Sequence, residues 1–247
     1  MTGSGGRGSD RAMEAMILAG GMGTRLRPVL GEKQKVIAEI DGRPFLGHLL
    51  DRLADAGAER TVLCTGFKAD DVESVLGMEH RGMSLLYSRE EAPMGTGGAV
   101  RKALDEIHGE TFFVLNGDSF CDVNLRALLE HHRMREAQAT LTLVRVSDTA
   151  RFGRVEQSAQ GAIMAFVEKG VSAGPGWINA GVYCLERGAV LGLPPGCVLS
   201  LEREVFPTWI GRGFYGYCCD GGFLDIGTPE SHAAAAGFFA GLRSENP

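Results

Sequence analysis

Short apolar runs alternate with amphipathic stretches over the first half of the chain. Strands are predicted at AMILA, RTVLCTG, MSLLYS and TFFVLNGD, because short continuous apolar runs are typical of buried strands. Helices are predicted at PFLGHLLDRLADAG, DDVESVL, GAVRKALDEIHG and LRALLEHHRMREA, where apolar residues recur at helical spacing. Gly57 and Gly109 are expected to end two of these helices, and Asp122 or Asn124 to cap another. This alternation predicts βαβ units and a mostly parallel sheet.

The pattern changes after residue 138, where strand-like runs follow one another with turns between them. The runs are ATLTLVRV, GRVEQ, AIMAFVEK and WINAGVYCL, and two further helices are predicted at LSLEREVFPTWI and PESHAAAAGFFAGL. We expect residues 13–247 to form a single α/β domain whose strand-rich second half lies over the ends of the sheet. Residues 1–12 are rich in glycine and serine and are interpreted as a flexible leader or a cloning remnant.

Composition excludes several classes of partner. The chain of 247 residues is 44% hydrophobic, which is enough for a sizeable core. Its net charge is −6 and no basic block occurs, so neither nucleic acid nor an acidic membrane surface is an expected partner. No apolar run approaches the roughly 20 residues that span a bilayer. The six cysteines show no metal-binding spacing, which favours reduced thiols and a cytoplasmic location.

The segment ILAGGMGTRLR places a glycine-rich loop directly after the first predicted strand. Ligands bind at the carboxyl ends of strands in open parallel sheets, and Gly20, Gly21 and Gly23 would let backbone N–H groups converge on an anion there. Arg25 could grip phosphate oxygens in a bidentate manner. The chain has no P-loop motif, and Leu26 stands where a dinucleotide-binding loop would need its last glycine.

The run LAGGMGTRLRP, with Lys35 ten residues after Arg25, resembles the signature of the sugar-1-phosphate nucleotidyltransferases. The resemblance continues in the family's order through PMGTGGA, NGDS, VEK, NAGVY and LDIGTPE, and it extends from Glu14 to about Leu242. The chain is most similar to the branch that makes GDP-heptose from heptose 1-phosphate, whose members also carry GxPFL and DIGTPE. One departure is QKV around Lys35, where relatives usually read PKP, so the rigid flanks of this lysine are lost.

This resemblance implies a Rossmann-like, mostly parallel sheet of the nucleotide-diphospho-sugar transferase type. Residues 13–138 would be mainly nucleotide-binding and residues 139–247 mainly sugar-binding. The implied reaction is attack of a sugar 1-phosphate oxygen on the α-phosphorus of an NTP, with release of pyrophosphate. GTP and heptose 1-phosphate are the favoured substrates and Mg²⁺ is the implied cofactor. Because the nucleophile is already an anion, no histidine is expected to act as a base.

The resemblance also assigns roles to particular residues. Arg25, Lys35 and Asp118 would be catalytic, and Asp118 and Asp225 would hold Mg²⁺. The nucleotide would be bound by Leu18, Ala19, Gly20, Gly21, Gly23, Thr24, Glu90, Gly95, Thr96 and Gly97. The sugar phosphate would be bound by Asn116, Gly117, Glu168, Lys169, Asn179 and Gly181. The glycines from Gly95 onward would open a helix whose N-terminus favours an anion or a base.

A carboxylate at Glu90, or at Glu91 instead, would suit guanine. Guanine offers N1–H and N2–H₂ as neighbouring donors, whereas uracil and thymine offer one donor between two carbonyl oxygens. Alternatives within the class are a uridylyl-, thymidylyl- or cytidylyltransferase, or a cyclitol phosphate as acceptor. A non-catalytic sugar-nucleotide sensor on the same fold is a further alternative, and a homo-oligomer is possible.

Overall fold

The computed structural model describes residues 13–21, 23, 26–31, 33–167, 170 and 173–245. Its strands are β1 (Met13–Leu18), β2 (Glu39–Ile40), β3 (Arg43–Pro44), β4 (Ala58–Thr65), β5 (Glu79–His80), β6 (Met83–Arg89), β7 (Thr111–Asn116), β8 (Ser119–Cys121), β9 (Ala139–Val146), β10 (Arg154–Gln157), β11 (Ile163–Val167), β12 (Gly176–Glu186), β13 (Phe214–Cys219) and β14 (Phe223–Asp225).

The α-helices are α1 (Arg27–Leu30), α2 (Phe45–Ala56), α3 (Ala69–Leu76), α4 (Gly95–Ala103), α5 (Leu125–Met134), α6 (Arg187–Leu191), α7 (Phe206–Trp209) and α8 (Pro229–Glu245). Two short 3₁₀ turns occur at Lys35–Ile37 and Leu104–Glu106, and a π-helical turn at Leu201–Val205 leads directly into α7.

The centre of the fold is a parallel block in the order β7-β1-β4-β6. The chain connecting β1 to β4 includes α2, that connecting β4 to β6 includes α3, and that connecting β6 to β7 includes α4. These are the predicted βαβ units, and the mixed α/β fold class is confirmed. Because the four strands run the same way, the loops that follow them open at one edge of the sheet.

The second half of the chain continues this sheet instead of covering its ends, so that part of the prediction is wrong. Strand β12 pairs antiparallel with β7, and β9 and β10 both pair with β12. Strand β13 then adds to β9 in parallel. A β-bulge interrupts the pairing of β12 with β9 between Asn179 and Tyr183. The ten-stranded sheet therefore brings second-half residues beside the ends of the parallel block.

Successive residues of each central strand point to opposite faces of the sheet, and both faces are covered. On β1, Ala15 and Ile17 belong to one buried apolar cluster and Met16 belongs to the other. The adjacent Phe113 and Phe112 divide between the same two clusters. Both phenylalanines are buried, whereas Met164 on β11 has an exposed fraction of 57%.

Helix ends follow the predicted signals in two cases and differ in a third. Gly57 ends α2 in the left-handed region at φ 90°, and its N–H donates to the Ala54 carbonyl at 2.9 Å. Asn124 caps α5, accepting from the Ala127 N–H at 3.0 Å. Gly109 does not end α4; its N–H donates to the buried Glu14 carboxylate at 2.6 Å.

All six cysteines are free thiols. Four of them are buried, namely Cys64, Cys121, Cys184 and Cys219. The sulfurs of Cys121 and Cys219 lie 3.9 Å apart without being bonded. Across the described ranges, none of the helices combines the length and apolar character needed to cross a membrane.

The cap of α5 gives a test of the fold. We expect Asn124→Ala to lower the free energy of unfolding by about 1 kcal/mol, because the Ala127 N–H loses its side-chain acceptor. Asn124→Asp, which keeps an acceptor oxygen at the N-terminus of the helix, should retain the stability of the wild type. Urea denaturation followed by circular dichroism measures both variants. Equal loss in the two variants would contradict the capping assignment.

Candidate functional site

A cleft of about 380 Å³ opens at the carboxyl edge of the parallel block. It is lined by residues that follow β1, β6 and β7 and by the start of α4. The lining residues are Leu18, Gly20, Gly21, Lys35, Val36, Glu90, Pro93, Gly95, Thr96, Ala99, Asn116 and Asp118. Nine of the sixteen predicted site residues that the structure describes are therefore brought together here. Those described but not on the lining are Ala19, Gly23, Gly97, Gly117, Asn179, Gly181 and Asp225.

The backbone approaches closely around the first glycine of the loop. A Cβ atom at Gly20 would lie 2.8 Å from Glu90 Oε1, and one at Gly66 would lie 3.3 Å from the Gly20 carbonyl oxygen. Gly21, in contrast, has open space where its Cβ would be. Gly20 therefore lets the carboxylate of Glu90 lie directly against the loop that follows β1.

Gln34 precedes Lys35 at the position where a proline would stiffen the backbone, and its side chain holds this segment instead. Its backbone lies at φ −66° and ψ 128°, which is the conformation that a proline ring would impose. Its buried amide donates to the Ala19 carbonyl at 3.0 Å and to the Phe67 carbonyl at 2.9 Å. Two hydrogen bonds thus tie the residue before Lys35 to the ends of β1 and β4.

Each of the two predicted metal ligands faces a cation. Lys35 Nζ lies 2.5 Å from Asp118 Oδ2, and Arg151 Nη2 lies 3.3 Å from Asp225 Oδ1. The two aspartates are brought together by the pairing of β8 with β14, in which Ser119 lies opposite Asp225. Neither side chain is fully buried, so both carboxylates remain accessible to solvent, and of the two Asp118 lines the cleft. In the described part of the chain, no group of three or more His, Cys, Asp or Glu side chains forms a metal site.

Glu90, not Glu91, occupies the cleft. Glu90 is half-buried, its N–H donates to the Thr65 carbonyl at 2.7 Å, and its Oε2 accepts from the Met94 N–H at 2.8 Å. Burial raises the pKa of Glu90 above its ordinary value, against the opposing effects of the Met94 N–H and of Lys102. Glu91 is exposed and is absent from the lining. Of the two glutamates, the structure therefore places Glu90 and not Glu91 on the lining of the cleft.

The N-terminus of α4 is partly occupied by protein. The N–H groups of Gly97 and Gly98 both donate to the Leu199 carbonyl, at 2.8 and 3.3 Å. A Cβ at Gly95 would lie 2.4 Å from the same oxygen. The expectation that this helix end offers its N–H groups to a ligand is therefore not met at Gly97. Of the predicted residues Gly95, Thr96 and Gly97, the first two line the cleft and Gly97 does not.

On the predicted sugar side, β12 touches the turn between β7 and β8. Gly181 has φ 74°, and a Cβ there would lie 2.5 Å from Ser119 Oγ and 2.9 Å from Asn116 Nδ2. Asn179 accepts from the Gly181 N–H at 2.8 Å and donates to the Tyr183 hydroxyl at 2.9 Å. The buried Oδ1 of Asn116 has no partner among the described residues. Asn116 therefore holds an unused acceptor beside the cleft.

Four predicted site residues lie outside the described residues, namely Thr24, Arg25, Glu168 and Lys169. The neighbouring Gly170 is described, and its N–H donates to the Ala150 carbonyl at 3.0 Å. Gly170 is thus bonded to the turn that carries Arg151. No sequence signal points to the contacts of Gln34 with Ala19 and Phe67 or of Arg151 with Asp225, because these partners lie 15, 33 and 74 positions apart in the chain.

Comparison with known proteins identifies the relatives of this chain. A family model described as nucleotidyl transferase matches residues 14–240. A mannose-1-phosphate guanylyltransferase of Mycobacterium tuberculosis is 39% identical over 88% of this chain, which spans only 62% of that protein. The D-glycero-alpha-D-manno-heptose 1-phosphate guanylyltransferase of Aneurinibacillus thermoaerophilus is 36% identical, with 90% of this chain and 96% of that protein covered.

Solved structures agree with these matches. The crystal structure of HddC from Yersinia pseudotuberculosis superimposes with a TM-score of 0.83 at 32% identity, covering 92% of this chain and 99% of that one. HddC complexed with GMP-PN superimposes with a TM-score of 0.82 at 31% identity.

The contact between β1 and β7 yields a prediction. A Cβ at Gly117 would lie 2.6 Å from the Leu18 carbonyl oxygen, which is fixed backbone. We expect Gly117→Ala to lower the free energy of unfolding by about 1–3 kcal/mol, as overpacking does. The matched variant Gly21→Ala enters open space and should change it by less than about 0.5 kcal/mol. Urea denaturation of both variants measures the difference, and similar values for the two would refute the close-approach argument.

Proposed function

The chain belongs to the nucleotidyl transferase family, and from this premise we propose that it joins GTP to a sugar 1-phosphate and releases pyrophosphate. The observation that carries the proposal is the Lys35–Asp118 pair beside the glycine loop, with Glu90 on the opposite side of the same loop. This arrangement offers a cation and a metal-binding carboxylate to phosphates and an acceptor to a base.

D-glycero-α-D-manno-heptose 1-phosphate is the acceptor we favour. Support comes from the heptose 1-phosphate guanylyltransferase relative, which this chain matches over 96% of its length. Mannose 1-phosphate is the second candidate, because a relative named for that substrate is 39% identical. The two sugars share the manno configuration and differ in the exocyclic arm, so a site for one accommodates the ring of the other.

In the proposed reaction, an oxygen of the sugar 1-phosphate forms a bond to the α-phosphorus of GTP. The bond from that phosphorus to the bridging α–β oxygen breaks, and the electron pair leaves with pyrophosphate. Both substrates are anions, so the protein must chiefly position them and neutralise charge. Lys35, held at its place by Gln34, would exchange its contact with Asp118 for phosphate oxygens. Arg25 is proposed to act on the triphosphate, as its place in the motif implies.

The residues present fit a magnesium ion. Mg²⁺ is usually bound through one or two carboxylates together with substrate phosphates and water, rather than by a complete protein cage. Asp118 and Asp225, brought together by the β8–β14 pairing, supply the two carboxylates. When bound, the ion would neutralise charge on the phosphates. Without the ion, the positive charges of Lys35 and Arg151 balance the negative charges of the two aspartates.

On the sugar side, we propose that Asn116 Oδ1 accepts from a sugar hydroxyl, since this buried oxygen has no partner among the described residues. Lys169 is proposed to pair with the sugar phosphate and Glu168 to accept from a hydroxyl, in line with their motif. Asn179 would act with them from β12, where its orientation is fixed by Gly181 and Tyr183.

The experiment that tests the function measures pyrophosphate release by the full chain. Four NTPs are combined with heptose, mannose and glucose 1-phosphates and with a cyclitol phosphate. We expect the highest kcat/KM with GTP and heptose 1-phosphate, and a measurable rate with mannose 1-phosphate. Absence of pyrophosphate release in every combination would overturn the proposal. A preference for another NTP would overturn only the nucleotide assignment.

The metal assignment predicts a loss of activity without a divalent ion. Asp118→Asn and Asp225→Asn should each lower kcat by about two orders of magnitude or more, because each removes a main support of the charge-stabilising ion. Asp105→Asn, an exposed carboxylate away from the cleft, is the matched control. Full turnover in excess EDTA would argue against the ion, and calorimetric titration of Mg²⁺ into each variant checks binding separately.

The position of Glu90 in the cleft predicts which nucleobase the protein prefers. We expect GTP to be preferred over UTP by about tenfold or more in kcat/KM, the scale of one good polar contact. Glu90→Gln should reduce this ratio, whereas Glu91→Gln, at an exposed position, should leave it unchanged. Since burial raises the pKa of Glu90, its carboxyl takes up a proton at a higher pH than an ordinary glutamate. The GTP/UTP ratio should therefore fall as the pH becomes mildly acidic. A GTP/UTP ratio that changes neither with pH nor in Glu90→Gln would exclude this role for Glu90.

A further inference from the structure

A single carboxylate, that of Glu202, connects the two sides of the cleft from behind. Its Oε2 accepts from the Thr96 hydroxyl at 3.0 Å and from the Ser200 hydroxyl at 3.1 Å. Its Oε1 accepts from the Tyr183 hydroxyl at 3.2 Å. Thr96 belongs to the start of α4, and Tyr183 belongs to β12. Glu202 itself comes from the π-helical turn before α7.

Both ends of this connection reach residues of the proposed substrate sites. Thr96 lines the cleft on the nucleotide side. The Tyr183 hydroxyl accepts from Asn179 at 2.9 Å, and Asn179 in turn accepts from the N–H of Gly181, whose backbone lies directly against the Asn116 side chain. Asn116 lines the cleft on the sugar side, and its amide oxygen has no partner among the described residues. A chain of hydrogen bonds therefore runs from one substrate side to the other through Glu202.

The hydroxyl protons of Thr96 and Tyr183 both point to Glu202, so residue 202 must accept a hydrogen bond on each of its two oxygens. The Thr96 hydroxyl already accepts from the Leu201 N–H at 2.7 Å, so it gives its own proton to Glu202. The Tyr183 hydroxyl accepts from Asn179, and it likewise gives its proton to Glu202. Burial and the charge of Glu202 raise the pKa of Tyr183 well above its ordinary value, which keeps the phenol protonated as a donor.

We propose that Glu202 is a positioning residue that couples the two substrate sites, so that nucleotide held at Thr96 fixes the amides of Asn116 and Asn179 for the sugar phosphate. This inference rests on the proposed function, because it assigns one substrate to each end of the chain. Glu202 is not among the residues that line the cleft, so it acts through Thr96 and Tyr183. Its contribution is to make the two sites bind better together than separately.

The substitution Glu202→Gln breaks this connection with almost no change in shape. A carboxylate accepts on both oxygens, but an amide has one acceptor and one donor group. If the amide nitrogen faces Tyr183, the phenol proton has no acceptor. If the nitrogen faces Thr96 and Ser200, their hydroxyl protons have none. Either orientation therefore disconnects one side of the cleft from residue 202.

Glu204 provides the matched control. It belongs to the same π-helical turn, and its carboxylate accepts from the Ser200 N–H at 2.7 Å. It is exposed, and within the described part of the chain it makes no hydrogen bond to Thr96 or Tyr183. Glu204→Gln therefore makes the same chemical change two residues further on, without changing the contacts of Thr96 and Tyr183 with Glu202.

The test is calorimetric titration of D-glycero-α-D-manno-heptose 1-phosphate, with mannose 1-phosphate as a second arm. Each is measured with and without saturating α,β-methylene GTP, which cannot be cleaved at the reacting bond. In the wild type and in Glu204→Gln, we expect the nucleotide analogue to lower the Kd of the sugar phosphate by about fivefold or more. In Glu202→Gln this factor should fall below about twofold, while the Kd of the analogue alone changes by less than about threefold.

Tyr183→Phe is the second variant, since it removes the donated proton and keeps the buried ring. It should lose the same coupling, and thermal unfolding of every variant separates coupling from loss of structure. Coupling that persists in both Glu202→Gln and Tyr183→Phe would overturn the inference, as would a wild type in which the two ligands bind independently. Absence of turnover in the wild type contradicts the proposed function instead, since the titrations still measure coupling between bound ligands.

Discussion

The arrangement of the cleft depends on β1 pairing in parallel with a strand on each side. Leu18 at its end lies opposite Cys64 of β4 and opposite Asn116 of β7. The glycine loop, the turn after β4 and the turn before β8 therefore begin at the same level of the sheet. The Gly117 N–H bond to the Leu18 carbonyl at 2.9 Å extends this alignment into the turn that holds Asp118. A residue with a side chain at position 117 would push these two strand ends apart.

Charge compensation is the second constraint. The cleft combines Lys35 with Asp118, and Arg151 with Asp225 lies beside it, so the protein alone presents two balanced pairs. Such pairs, partly open to water, contribute little to stability. In each pair, the charged side chains can exchange each other for a phosphate or a cation when the ligands bind. Within these two pairs, a bound phosphate or cation therefore replaces a charge that the protein itself supplied.

Much of the fold could be predicted from the sequence because its signals are local. The apolar runs of the parallel strands, the left-handed Gly57 and the Asn124 cap all depend on residues within a few positions of one another. Short elements such as β2, β8 and α6 escaped prediction, because two to five residues carry no measurable period. Their positions are set by tertiary pairing alone.

The candidate site was predicted less completely, for the same physical reason. Motif residues that form the cleft could be named, but their supports could not. Thr96 and Glu202 are separated by 106 positions, and the Gln34 bond to Phe67 joins residues 33 apart. Gly97 shows the opposite error, since a glycine at a helix N-terminus can serve close packing against Leu199 as well as a ligand. Sequence spacing cannot distinguish these uses.

Gln34 has a consequence for how the segment around Lys35 is held. A proline ring restricts the backbone in every state of the chain, whereas the glutamine holds it only while its two hydrogen bonds are made. Each such bond contributes about 1 kcal/mol net. The position of Lys35 therefore depends on the folded ends of β1 and β4, and a change that moves Ala19 or Phe67 also moves the lysine.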